Sequence, residues 1–414
     1  MTFKLKLDKI NRTNNIEHHD IKFIDLFCGI GGFHLALTSI PNINAKCVFA
    51  SEIDIHCKRI YEYNFKIKPY GDILQNIANI PNFDILCAGF PCQPFSNAGN
   101  KKGLSDKKGL LFDSIVEILK IHKPKLGFLE NVKHIKNISN GEVYKYIYQQ
   151  ITNLGYNMLD FEISPLDINI PQNRKRIIFI LIRNDITYNK KDIIKIIEQN
   201  IIKYKEINKN NIILDHIDNS KYNLSSELLN VLLAWDELTK ILKDIEIISP
   251  IVIDYFYDQA IDENNKKWKN EYIKKNILFY HKYKHLIDPW LLKYKQLLTI
   301  KSIYGKLEWQ TGTIGGSIFD YYIQIRQSGI RVKKTDCFPA LVAIVQTSII
   351  GEKRRYLTPK ECSRLQSFPD TFSFIDQDDK ITYKQLGNSV NVKIIKVIIE
   401  STLNFLEKSY VKKD

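Results

Sequence analysis

Cys92 is the residue of this chain best placed to act as a nucleophile. It stands in Gly89-Phe90-Pro91-Cys92-Gln93-Pro94-Phe95-Ser96, directly after the apolar, strand-like run Phe83-Asp84-Ile85-Leu86-Cys87-Ala88. In an open α/β sheet, ligands bind in the loops beyond the carboxyl ends of the strands. A proline on each side of the thiol stiffens that loop. Glu130, in Leu129-Glu130-Asn131-Val132, follows a second strand-like run, so its carboxyl group falls at the same edge. A thiol beside a carboxyl group suits attack on an electron-poor heteroaromatic ring: the thiolate adds to one carbon while the acid protonates a ring nitrogen, and negative charge does not accumulate. A free thiol titrates near about 8.5, and a neighbouring cation or helix N-terminus helps form the thiolate. In Gln172-Asn173-Arg174-Lys175-Arg176, alternation along an extended chain puts Arg174 and Arg176 on one face. Two guanidiniums aimed alike suit a pyrimidine carbonyl or a phosphate.

A second group of residues suits a cofactor. Asp25-Leu26-Phe27-Cys28-Gly29-Ile30-Gly31-Gly32 closes a strand and opens a helix, where glycines let the backbone approach a ligand. The spacing is not the G-x-G-x-x-G of dinucleotide sites, which argues against a nicotinamide oxidoreductase. Glu52 follows the next strand roughly 20 residues on, where a carboxylate accepts from ribose hydroxyls. Asp72, in Gly71-Asp72-Ile73, is positioned to accept from an adenine amino group. Together they suit an adenosine-containing cofactor with no pyrophosphate. Each feature alone admits a plainer reading: a buried cysteine in a Pro-rich turn, a carboxylate at a helix start, glycines serving tight packing, a solvated basic edge.

The elements that must hold these residues alternate. Strand-like 22–27, 84–88, 126–129 and 176–182 are interleaved with helix-like segments such as 33–37, 114–121 and 143–154, which implies an α/β fold with a doubly wound, mostly parallel sheet. From about Asn184 to Gly305 the rhythm is lost, and a Lys/Tyr/Trp-dense stretch runs from Lys266 to Gln296. The expected division is a catalytic and cofactor-binding domain over 1–183, a smaller second domain with its hinge over 184–382, and a return to the first domain over 383–414. The 414 residues carry a net charge of +14 spread along the chain, which fits a surface that meets a polyanion, although a lysine-rich codon bias would also produce it. Seven cysteines, an odd set without a Cys-x-x-Cys pair, argue against a zinc site or a disulfide framework. With neither a signal peptide nor a membrane-length apolar run, a soluble cytoplasmic protein is expected.

In order, these motifs resemble those of the DNA cytosine-5 methyltransferases of bacterial restriction–modification systems. The resemblance also includes Gly109-Leu110-Leu111-Phe112, the segment Arg355 to Pro369, and Gln385-Leu386-Gly387-Asn388-Ser389-Val390, and spares only the middle region. It implies a Rossmann-like fold with a second, DNA-recognition domain, and methyl transfer from S-adenosylmethionine, leaving S-adenosylhomocysteine, to carbon 5 of a flipped cytosine in double-stranded DNA. It assigns Cys92, Glu130, Arg174 and Arg176 to catalysis. Cofactor contacts fall on Phe27, Gly29, Ile30, Gly31, Gly32, Glu52, Ile53, Asp72, Ile73, Pro91, Leu111, Asn388 and Ser389. Gln93 and Ser96 fall to DNA. No metal, no membrane and a monomer are expected, with a cognate endonuclease as functional rather than physical partner. Ile53 stands where many relatives carry Trp, and Ala340-Leu341 where they often carry Thr-Leu. A transfer RNA methyltransferase and a non-catalytic DNA-binding relative are the alternatives.

Overall fold

The structure, a computed structural model, describes residues 19–91, 110–207, 212–214, 220–257, 261, 262, 264–344 and 346–411. The first sheet contains β1 (His19–Leu26), β2 (Ile43–Ser51), β3 (Ile85–Gly89), β4 (Leu126–Val132), β5 (Tyr156–Ile163) and β7 (Arg176–Arg183), in the order β2-β1-β3-β4-β7-β5. The two-residue β6 (Gln172–Asn173) lies outside it. β2, β1, β3 and β4 are mutually parallel, whereas β7 runs antiparallel to both β4 and β5. β7 is apolar from Ile177 to Ile182 and buried throughout that run, as a strand covered on both faces requires.

Helices α1 (Gly32–Thr38), α2 (Ile55–Phe65), α3 (Leu110–His122) and α4 (Glu142–Asn153) connect these strands. Asp54 caps α2 by accepting from the His56 and Cys57 N–H groups. Because the chain passes from β1 outward to β2 and then back to β3 on the other side, the strand order reverses at β1. The crevice beyond the carboxyl ends of β1 and β3 is therefore the expected ligand position.

The second body contains α5 (Lys190–Ile207) only by sequence, not by packing. Ile186, Ile193, Ile197 and Ile212 belong to the first hydrophobic core, and α5 lies against the terminal helix. A core of its own begins with α6 (Ser226–Ile241) and includes α7 (Lys267–Thr299), with the fully buried Trp235 and Trp290 at its centre. These helices pack on a second six-stranded sheet, ordered β14-β13-β10-β11-β9-β8 and built from β8 (Ile251–Val252), β9 (Lys306–Gln310), β10 (Tyr322–Arg326), β11 (Gly329–Lys333), β13 (Ile349–Ile350) and β14 (Arg355–Tyr356). Between β11 and β13, β12 (Phe338–Pro339) leaves this sheet and pairs with β6 of the first body.

From Leu357 onward the chain rejoins the first core through α8 (Pro359–Leu365), α9 (Asp379–Asn388) and α10 (Val392–Val411), with Leu357, Cys362, Leu365 and Phe368 buried in it. The cores thus divide the chain near 214 and 357, not at the expected 183/184 and 382/383. The periodic apolar residues of α5 and α8 complete the first sheet's cover. The outgoing and returning segments of the chain meet at one buried fork. Arg355 Nη1 and Nη2 donate to Glu361 Oε2 and Oε1 at 2.9 and 2.8 Å, and Arg355 Nη2 also donates to the Leu214 carbonyl. Glu361 in turn accepts from the Leu214 and Thr358 N–H groups. Among the described residues no helix is long and apolar enough to cross a membrane.

Candidate active site

The crevice at the β1/β3 edge holds a cavity of about 540 Å³, a usual size for a small-molecule site. Its first half comes from β1, β2 and their following loops. The turn after β1 carries three positive φ angles, at Phe27 (53°), Gly29 (52°) and Gly31 (89°). Gly31 cannot carry a side chain, because a Cβ there would fall 2.1 Å from the Phe65 ring. The Gly29 N–H donates to Glu52 Oε2 at 2.9 Å, while Ile53 and Asp54 N–H groups donate to Oε1 at 2.8 and 2.9 Å. A carboxylate has about four acceptor positions, so Glu52 keeps one on Oε2. Asp72 Oδ1 accepts from Leu74 N–H at 3.0 Å, and Oδ2 accepts from none of the described residues. Ile53 lines the cavity yet is 76% exposed.

The other half is polar and lies at the ends of β3, β4 and β7. Glu130 Oε1 accepts from Arg176 Nε at 2.9 Å, with both side chains largely buried. This pair faces the same cavity as Pro91, the last described residue before Cys92. Asn131 Nδ2 donates to the Phe90 carbonyl at 2.9 Å, and so ties the chain beyond β3 to β4. The cavity also takes Leu111 of α3 and Asn388 and Ser389 at the end of α9.

Of the residues expected from sequence, Phe27, Gly29, Glu52, Ile53, Asp72, Ile73, Pro91, Leu111, Glu130, Arg174, Arg176, Asn388 and Ser389 are brought together around one space. Ile30, Gly31 and Gly32 are not among its lining residues. Ile30 is buried in the first core, and Gly31 and Gly32 pack against Phe65 and Val390, so they shape the turn from behind. Cys92, Gln93 and Ser96 lie outside the described residues.

The partners of Arg174 could not be read from sequence. It lies between β6 and β7, where strand alternation does not set its direction, and its guanidinium donates to the carbonyls of Leu341, Gly387 and Ser389 at 2.6, 2.9 and 2.9 Å. Burial and the nearby Arg176 charge push it down to about 9, still a cation at neutral pH. Three features were not singled out from sequence. Asn131 was quoted only as Glu130's neighbour. Lys384 and Asp54 form an ion pair at 3.5 Å along the cavity rim. Behind the β1 turn, Asp25 is fully buried with neither oxygen in a well-formed hydrogen bond among the described residues, and burial holds its carboxyl well above the usual range. Nearby, His34 Nδ1 meets the Tyr61 hydroxyl at 2.8 Å and its ring stacks on Phe65. Burial lowers His34 to about 4.

The profile of C-5 cytosine-specific DNA methylases matches residues 21–404. The chain belongs to that family. Membership makes it a DNA cytosine-5 methyltransferase, with S-adenosylmethionine as the methyl donor and DNA as the substrate. The chain is 31% identical to the Type II methyltransferase M.HhaI of Haemophilus parahaemolyticus, over 93% of this chain and 96% of that one. To M.HpaII of Haemophilus parainfluenzae it is 32% identical, over 94% and 90%. The fold is shared with a putative DNA modification methyltransferase encoded within an E. coli prophage, at a TM-score of 0.56, 19% identity and coverage of 94% and 99%. It is also shared with the S. pombe Dnmt2 methyltransferase, at 0.53, 19%, 93% and 98%.

Proposed function

We propose that the cavity binds S-adenosylmethionine beside a flipped cytosine, and that Cys92, Glu130 and Arg176 activate that base. The observation that carries this reading is the Glu130–Arg176 pair, which shares one cavity with Glu52 and Asp72. The cavity suits the donor. Glu52 keeps an acceptor position for a ribose hydroxyl, Asp72 keeps Oδ2 for an exocyclic amine, and Phe27, Ile53, Ile73 and Leu111 supply apolar walls. When bound, the donor supplies an electrophilic methyl group on a sulfonium.

Carbon 5 of cytosine is inert within the aromatic ring. The Cys92 thiolate adds to carbon 6, while Glu130 hydrogen-bonds and protonates ring nitrogen 3, so that carbon 5 becomes an enamine nucleophile. Arg176, held by Glu130, binds the carbonyl at carbon 2. After methylation, loss of the carbon 5 proton and elimination of the thiol restore the ring. The base must leave the stack first, at a cost of a few kcal/mol. The net charge of +14 helps offset that cost through phosphate contacts, so binding weakens steeply with salt. The second body, roughly 215–356, reads the target sequence, with Gln93 and Ser96 near the vacated space. The protein acts as a monomer that shields host DNA from a cognate endonuclease.

Incubation with labelled S-adenosylmethionine and unmethylated plasmid, followed by bisulfite sequencing, tests the chemistry and gives the site together. Methyl groups are expected at carbon 5 of cytosines in one short sequence. Label on adenine, on the cytosine amino group or on transfer RNA alone would refute the reading, as would full turnover by Cys92→Ser.

A further inference from the structure

We propose that Arg174 is a positioning residue that couples the recognition body to the cofactor cavity, by bonding a strap from one to the lining of the other. The strap is residues 338–343. Phe338 and Pro339 pair with Gln172 and Asn173, and the Phe338 N–H donates to the Pro171 carbonyl at 2.8 Å. Leu341 packs against the first core and gives its carbonyl to Arg174 Nη1. Arg174 Nη2 then holds Gly387 and Ser389, which line the cavity. A single buried cation thus joins segments that lie on either side of it.

Gly387 supports the same junction independently. A Cβ at that position would come within 2.4 to 2.8 Å of the Val342 and Ala343 backbone, so strap and cavity lining are in direct main-chain contact. The junction also holds unused polar capacity. The Ser389 carbonyl accepts from Gln366 Nε2 at 3.1 Å as well as from Arg174. Arg174 Nε, Gln366 Oε1 and the whole Gln172 carboxamide are buried with no partner among the described residues. Buried polar groups are ordinarily paired. These spare groups give the junction bonds to make in a second arrangement, and coupling between sites requires an element with two arrangements. A ligand that fixes Asn388 and Ser389 therefore also fixes the strap, and DNA held by the recognition body acts back on the cofactor by the same factor.

The inference rests on the reading of the cavity as the S-adenosylmethionine site. Its test is hydrogen exchange of the intact protein with and without S-adenosylhomocysteine. In wild type, the ligand is expected to slow exchange in both 385–390 and 338–344, by a factor within the roughly 5- to 150-fold range of ordinary coupling. In Arg174→Lys, which cannot reach all three carbonyls, and in Gly387→Ala, which pushes the strap away while leaving Arg174 in place, 385–390 should still be protected and 338–344 should not. A purely structural role would instead speed exchange in β1 and β3 alike and leave the paired response intact. Failure of the ligand to bind wild type would overturn the cofactor reading and the coupling with it. Binding that protects 385–390 but not 338–344 in wild type, or that protects both segments in both variants, would overturn the coupling alone.

Discussion

Asn131→Ala isolates the bond that ties down the segment leading into Cys92, the proposed nucleophile. Asn131 is buried, and its two side-chain bonds run to the Phe90 carbonyl at 2.9 Å and from the Val132 N–H at 2.8 Å. Phe90 is itself buried, so truncation leaves its carbonyl without a partner, at a cost of about 1–3 kcal/mol in stability. The effect on rate should be of similar size for a different reason. Phe90 and Pro91 lead directly into Cys92, and a misplacement of ~1 Å in a reacting group costs on the order of a hundredfold. At 1.36 kcal/mol per decade, that is about 2.7 kcal/mol of barrier. Urea unfolding measures the first quantity, and single-turnover methyl transfer at saturating donor and DNA measures the second. Asn131→Asp should be at least as slow, since it turns a second acceptor toward the carbonyl. A folded Asn131→Ala protein with the wild-type single-turnover rate would refute the claim that this bond positions the thiol.

Other perturbations have equally definite outcomes. His34 is held neutral with its pKa lowered to about 4, so the unfolded chain takes up a proton from pH 6.5 downward before the folded one does. Stability should therefore fall between about pH 6.5 and 4, by roughly 3 kcal/mol at most, and His34→Leu should flatten that limb of the unfolding profile. Glu361→Ala leaves the Arg355 guanidinium buried and unpaired and should cost about 3–5 kcal/mol, whereas adding Arg355→Met should recover part of the loss; denaturant midpoints of the single and double variants decide it. The six described cysteines are all buried, so rapid alkylation of the native protein should modify Cys92 alone and abolish methyl transfer; peptide mapping after brief treatment checks this, and fast single modification with full activity would contradict it.

The gathering of Glu52, Glu130 and Pro91 around one cavity was legible because it follows local rules. Glu52 and Pro91 follow the apolar strands β2 and β3, Glu130 sits two residues from the carboxyl end of β4, and parallel strands present those ends to one crevice. The partners of Arg174 were not legible, because they are carbonyls 167 and more residues away, beyond the reach of any periodicity. Ile30, Gly31 and Gly32 have the composition of a ligand loop, but only the facing of the turn shows that they lie behind it. The second body gave little signal because three strands of its sheet are two residues long, and β9 and β11, though not consecutive, pair in parallel. The helix α5 looked like its beginning, since nothing local says which sheet an amphipathic helix will cover.

The fork of Arg355, Glu361 and Leu214 brings the two ends of a long insertion side by side. An insertion whose ends already touch asks nothing of its host except that those ends stay together, so its interior is free to change in length and code. The second body is thus built as a cartridge, and under the proposed reading, grafting a different one between these anchor points should alter which sequences are marked while the chemistry of marking stays the same.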